Sequence, residues 1–302
     1  MSFSSDVKEA LSKITNLTDK EAVKYELLGY LISQNTTCNK QKIQYTTENE
    51  YTINRFGKLL SNCGITDFSI SMKGKNYIIH FQNKKDRFIN LKEVQIIEDN
   101  IEIIPPINIE TLLQNEKIGK AFIRGTFLGS GSVNHPEKKY HLEIALSTAN
   151  NAEVVQNILQ SVEITMKRLN RKNGVTLYLK DGEEISNFLA YIGASQAVLK
   201  FEEIRVLRQM KNKINRKVNC ETANLSKTIA ASVKQVEAIK HLQKNGKFET
   251  LPDNLKEIAI LRLENPDASL VELGEMLASP IGKSCVNHRL KAIIELGNDK
   301  EG

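Results

Sequence analysis

Six side chains near the C-terminus have the types and spacing to read a nucleic-acid groove. Lys283, Ser284, Asn287, His288, Arg289 and Lys291 fall within nine residues. Residues three and four apart share a helix face, so a helix here would put Lys283, Ser284, Asn287, His288 and Lys291 on one polar surface. Lysine, serine and asparagine hydrogen-bond base edges or hold phosphate oxygens. Arg289 is expected to flank that surface and touch the nucleic-acid backbone. A plain three-helix bundle with a solvated polar face has the same pattern.

A second group of cations precedes this one. Arg205, Arg208, Lys211, Lys213, Arg216 and Lys217 crowd the stretch around LRQMKNKINRKVN. Residues 161–247 hold 17 Lys and Arg against 8 Asp and Glu, whereas residues 248–302 hold 6 against 10. Neutralised phosphates supply most sequence-independent affinity for DNA. The basic stretch is therefore expected to grip the backbone of double-stranded DNA while the C-terminal group aims the contact. A solvated helix face would carry the same charge run.

Local signals place the C-terminal group on the third of three short helices. Thr250 and Pro252 open the first, with Leu255, Ile258, Ala259 and Leu261 at helical spacing. Asn265-Pro266 ends it, because proline disfavours the helical conformation of its predecessor. Ser269 and Glu272 form a capping box that starts the second helix. Ser279-Pro280-Ile281-Gly282 breaks that helix, and Val286, Leu290, Ile293 and Ile294 supply the buried side of the third. The last two helices have helix-turn-helix spacing, the motif that lays one helix in a major groove.

The rest of the chain alternates helices and strands. Residues 6–33 read as two helices broken at 16–19, 39–47 as a strand, and 49–62 as a helix ending at Gly64. Residues 65–72 and 76–82 read as a hairpin around Lys73-Gly74-Lys75. A polar stretch and a further helical segment lead to Pro105-Pro106. Helix 118–130, strand 140–147, helix 151–169, strand 175–180 and helix 181–192 repeat that grammar, which suggests a duplicated α+β unit. Two helices, 198–216 and 221–243, then lead to a hinge at 244–247.

Composition closes off several classes. The chain has 302 residues, a formal charge of +6 and no tryptophan. It has no apolar run long enough for a membrane span and no signal-peptide core, so no membrane partner and a cytoplasmic, nucleoid-associated location are expected. Cys38, Cys63, Cys220 and Cys285 form no C-x-x-C pair, which argues against zinc. Phosphate-binding and metalloprotease motifs are missing. No cofactor, metal or catalytic residue is expected. His135 and His141, on either side of Glu137, read as exposed loop and strand histidines.

Three long segments carry a resemblance: GKAFIRGTFLGSGSVNHPEKKYHLEIAL, YIGASQAVLKFEEIRVLRQMKNKINRKVNCETANLSKTIAASVKQVEAI, and the last fifty residues. They resemble the WhiA-type regulators of Gram-positive bacteria over nearly the whole chain. The resemblance implies a LAGLIDADG homing-endonuclease-like fold followed by a helix-turn-helix akin to the promoter-reading domain of sigma factors. It also implies a transcription regulator linked to sporulation or cell division. In that fold two helices pack through glycines, and each ends in an acid that holds a divalent metal. Gly29 in LLGYLISQN and Gly125 in IRGTFLGSG stand 96 residues apart, and the acidic positions hold Gln34 and Ser130. Neither supplies the anionic oxygen that Mg²⁺ requires, and Glu137 and Glu143 are single acids without a symmetric partner. The strand saddle of that fold would carry Lys40, Lys42, Lys138, Lys139 and Lys180.

The expected fold class is α+β: a duplicated LAGLIDADG homing-endonuclease-like N-terminal domain, then an all-α helix-turn-helix domain. The expected parts are 1–106, 107–197, a basic helical linker 198–247, and 248–302. The expected function is non-enzymatic, with DNA as partner and a monomer as the acting species. The alternative is an adaptor that docks on RNA polymerase or another transcription regulator with only general DNA affinity. The −4 balance of residues 248–302 favours that alternative, since an acidic face repels DNA.

Overall fold

The computed structural model describes residues 2–15, 17–39, 42–82, 94–97, 100–103 and 109–298. Lys40 and Pro105-Pro106 lie outside them. In chain order the elements are α1 (Phe3–Ser12), α2 (Lys20–Leu31), β1 (Thr36–Cys38), β2 (Lys42–Thr47), α3 (Glu50–Asn62), β3 (Phe68–Lys73), β4 (Asn76–Gln82), β5 (Val94–Ile97) and β6 (Asn100–Ile103). There follow α4 (Ile109–Gln114), α5 (Glu116–Ser130), β7 (Gly131–Val133), β8 (Leu142–Leu146), α6 (Ala149–Gln160), β9 (Lys167–Arg171), β10 (Gly174–Leu179) and α7 (Gly182–Tyr191). The last helices are α8 (Ser195–Lys244), α9 (Asp253–Glu264), α10 (Leu270–Glu275) and α11 (Lys283–Asn298). The chain forms two compact units, Met1–Gln209 and Met210–Gly302, and α8 contributes to both.

The first unit is built twice from one plan. Its two four-stranded antiparallel sheets have the orders β1-β2-β4-β3 and β7-β8-β10-β9, so each strand has a counterpart at the same place. The long helices α2 and α5 pack against each other at the centre. A side chain on Gly29 would strike the Phe122 carbonyl, and one on Gly125 would strike the Glu26 carbonyl. Each glycine thus meets the residue three before the other, and only a hydrogen side chain permits that backbone approach. Asp19 caps α2 through the Ala22 amide, and Asn115 caps α5 through the Ile118 amide.

Glu26 lies in this contact with no exposure. Arg55 Nε and Nη2 donate to its two oxygens at 2.8 and 3.0 Å, and Arg124 Nε donates to Oε2 at 3.1 Å. Arg55 reaches from α3 of the same half, whereas Arg124 comes from α5 of the other. Buried charge is tolerated when it is paired and hydrogen-bonded, so this cluster joins the halves electrostatically.

Lys8 on α1 is the opposite case. Burial pushes its ammonium down from 10.5 to about 8. A base whose folded value is depressed costs stability below that value, and the cost is relieved as pH rises from about 8 to 10.5. Lys8→Met is expected to stabilise the protein at pH 7 by about 1–3 kcal/mol and to flatten stability between pH 8 and 10.5. Urea midpoints across that range, followed by circular dichroism, check it. A slope unchanged in the variant would remove Lys8 as its source.

Three expectations are corrected here. The segment before Pro105 holds the β5–β6 hairpin, not a helix. Helix 151–169 stops at Gln160, and Lys167–Arg171 is strand β9. Glu163 has a left-handed φ of +62°, which ends helical geometry. The two helices of 198–243 are one, α8.

The second unit is helical. Ile239 and Leu242 of α8 join Phe248, Leu251, Ile258, Ala259, Leu273, Leu277, Val286, Leu290 and Ile293 in its core. Among the described residues no helix is long and apolar enough to cross a membrane.

Candidate nucleic-acid interface

Helices α9, α10 and α11 form the helix-turn-helix unit. The capping box is present: Ser269 Oγ accepts from the Glu272 amide at 3.3 Å, and Glu272 Oε2 accepts from the Ser269 amide at 2.7 Å. Those bonds hold the Glu272 carboxyl below its usual pKa. The sharp turn after α10 depends on Gly274, where a side chain would strike the Ile281 carbonyl. The bend between α9 and α10 is held by Arg262, which sequence reasoning missed. Arg262 is 2% exposed, and its Nη1 donates to the carbonyls of Asn265, Pro266 and Ala268 at 3.4, 3.1 and 2.7 Å. Its only advance sign is a cation among apolar positions of a short helix.

Helix α11 buries Val286, Leu290 and Ile293 and turns its other side outward. Ser284, His288 and Lys291 are exposed there at positions i, i+4 and i+7. Lys283 is exposed on the first turn, and Asn287 is half-buried at the edge of the face. Arg289 lies apart from them, donating Nη1 to the Asn254 carbonyl at 3.3 Å and so tying α11 to the start of α9. Glu295, not anticipated, continues the exposed face one turn later, so positive charge sits at the N-terminal end of α11 and negative charge toward its C-terminal end. Cys285 is exposed.

The basic stretch of α8 divides by surroundings. Arg205 is engaged with Glu202, at 2.8 Å from both Nε and Nη2. Arg208 donates Nη1 to the carbonyls of Pro136 and Lys138 at 3.1 and 2.5 Å, and its guanidinium lies 4.8 Å from the Tyr140 ring centre. Both serve contacts within the first unit. Lys211, Lys213, Arg216 and Lys217, in the second unit, are exposed.

At the ends of the paired glycine helices the residues are neutral. Ser130 Oγ donates to the Ala145 carbonyl. The Gln34 side chain donates to the Asn173 carbonyl at 3.0 Å. Glu143 meets His141 at 3.2 Å and Ser132 at 3.3 Å. Among the described residues no three His, Cys, Asp or Glu side chains converge on a metal position. Strand β9 is exposed along its length and brings Lys167, Arg168 and Arg171 to the sheet edge. Lys167 and Arg168 were hidden from sequence reading by the overlong helix drawn through them, and Arg171 lies just beyond its end. Lys42, Lys138, Lys139 and Lys180 are also exposed.

Comparison with known proteins covers both units. Residues 119–211 match the family model described as WhiA LAGLIDADG-like domain, and residues 214–297 match WhiA C-terminal HTH domain. The probable cell division protein WhiA of Clostridium botulinum (strain Hall) is 40% identical over 100% of this chain and 100% of its own length. That of Staphylococcus aureus (strain JH9) is 40% identical over 99% of this chain and 97% of its own. The crystal structure of full-length DUF199/WhiA from Thermatoga maritima is 26% identical with a TM-score of 0.59, covering 100% of both chains. With a LAGLIDADG-like first part, a helix-turn-helix second part and relatives matched end to end, the chain belongs to the WhiA family.

Proposed function

We propose that this chain is a non-enzymatic, sequence-preferring DNA-binding regulator of transcription that serves cell division or sporulation. The observation that carries the reading is the outward face of α11: Lys283, Ser284, His288 and Lys291 exposed, Asn287 at their edge, and the opposite side locked into a core. A recognition helix needs that combination, a rigid back and polar groups free at its N-terminal end. Lys211, Lys213, Arg216 and Lys217 hold phosphates. Arg205, Arg208 and Arg289 act indirectly, by fixing the elements that present the others. The protein works in the cytoplasm, at the nucleoid, and binds as a monomer.

The test is fluorescence anisotropy of the full-length protein on genomic promoter fragments across a salt series. Affinities that differ at least tenfold among fragments of equal length support the reading. Equal affinity for all fragments, lost steeply with salt, would reject it. Arg216→Glu with Lys217→Glu is expected to weaken binding to every fragment and to reduce the salt slope by roughly 2, since each phosphate contact contributes about 1. An unchanged slope would place both side chains off the DNA.

The first unit acts without cleavage. Gln34 and Ser130 supply no anionic oxygen where phosphodiester hydrolysis by divalent metal needs one. Supercoiled plasmid incubated with the protein and Mg²⁺ is expected to stay intact. Nicking that Glu143→Gln abolishes would reverse this reading.

A further inference from the structure

Within the second unit, every residue of α8 from Met210 to Ala231 is exposed. Six large apolar side chains stand on it, Met210, Ile214, Val218, Leu225, Ile229 and Val233, each 49–61% exposed. Their order is regular. Ile214, Val218, Leu225, Ile229 and Val236 follow at steps of 4, 7, 4 and 7 residues. Ile214, Leu225 and Val236 thus repeat every eleven residues, as do Val218 and Ile229. Eleven residues make three turns at about 3.67 per turn, close to a straight helix. The stripe therefore stays on one face for about 33 Å.

This stripe lies beside the face that α8 gives to its own core and merges with it at Ser232, seven residues after Leu225. Ser232, Gln235, Ala238, Ile239 and Leu242 are buried there. The C-terminal end of the stripe opens on a groove of about 520 Å³, lined by Leu225, Ile229 and Val236 with Lys240, Glu237 and Asp267 at its polar edge, so the cationic part of the face is the N-terminal part. Contiguous exposed apolar surface marks an interaction site.

Charge selects the occupant. Residues 210–244 carry eight Lys and Arg against two Glu. Lys211, Lys217 and Lys240 border the stripe, Glu221 lies on it 4.0 Å from Lys217, and Lys213, Arg216, Lys227 and Lys234 fall on the far side at 100° per residue. A second copy would set this positive charge against itself. Duplex DNA complements the cations but offers no apolar surface to the stripe. A helix with apolar residues in the same period and acids at its edges complements both. We propose that the α8 face from Met210 to Val236 docks an acidic amphipathic helix of a partner protein.

The test uses the full-length protein and three labelled 25-residue peptides. One has leucines at the 4–7 spacing with glutamates between, one has the same composition scrambled, and one has lysines in place of the glutamates. The acidic repeat is expected to bind at least tenfold tighter than both controls. Leu225→Ser with Ile229→Ser, both exposed, is expected to weaken it at least tenfold while leaving circular dichroism and promoter-fragment affinity unchanged. Equal binding of the scrambled peptide, or binding indifferent to the serine pair, would overturn the proposal. Sedimentation equilibrium is expected to give a monomer. A dimer dissolved by the serine pair would assign the stripe to a second copy instead. Promoter-fragment affinity that falls with the serine pair would assign it to DNA. Failure of the DNA reading shows separately, as absent fragment discrimination in the unsubstituted protein.

Discussion

Glu26→Ala is expected to destabilise the first unit by about 3–5 kcal/mol. The substitution leaves the Arg55 and Arg124 guanidiniums, 3% and 7% exposed, without the carboxylate that faces both. Burying two cations stripped of that counter-charge, with carbonyl contacts such as those to Ile14 and Ile192 left to them, is far worse than never having had the cluster. Glu26→Leu, Arg55→Leu and Arg124→Leu combined are therefore expected to regain much of the loss, although each single change is damaging. The readout is local: all eight tyrosines lie before residue 210 and the chain has no tryptophan, so tyrosine emission during urea unfolding reports the first unit alone. A midpoint for Glu26→Ala within about 1 kcal/mol of the parent would show the cluster to be solvated. The cluster also breaks the symmetry of the duplicated unit. Glu26 stands three before Gly29, and the equivalent place before Gly125 is Phe122. Charge on one side of the helix contact and an aromatic ring on the other distinguish the halves.

Residues that act within their own segment were legible before the structure. The Ser269–Glu272 capping box, the Asn265-Pro266 stop and the apolar face of α11 each depend on neighbours within a turn or two, and each is present. The paired glycines were legible through the family resemblance rather than through any periodicity. What failed was the part decided at a distance or by rare backbone. The end of α6 depends on Glu163 in a left-handed conformation that sequence rules reserve for glycine or asparagine. Missing it hid β9 with Lys167 and Arg168. Glu26 read as one more polar position on a helix because its partners are 29 and 98 residues away. Arg205 and Arg208 look identical to Lys211 and Lys213 in a charge count. Only the carbonyls of Pro136 and Lys138, and the carboxylate of Glu202, separate the occupied cations from the free-standing ones.

That separation sets the result expected of the α11 face. Lys283→Ala with Asn287→Ala is expected to lower affinity for the best-bound promoter fragment by about 100-fold and for unrelated duplex by only about threefold. A good base contact discriminates by about 1–3 kcal/mol, while a lost phosphate contact weakens all sequences alike. Both side chains lie outside the core, so the unit's fold should survive, and circular dichroism of the variant should match the parent. Arg289→Ala is the informative comparison. Its guanidinium holds the Asn254 carbonyl, so removing it lets α11 shift against α9 without deleting a group that faces DNA. If Lys283 and Asn287 read bases, their loss should erase preference between fragments at constant salt slope, apart from about 1 for Lys283 if it also touches phosphate. If the acidic balance of residues 248–302 instead keeps α11 off the groove, the double variant should lose nothing on any DNA. The exposed face would then belong to a protein partner, and the gripping cations of α8 would be left as the whole of the DNA contact.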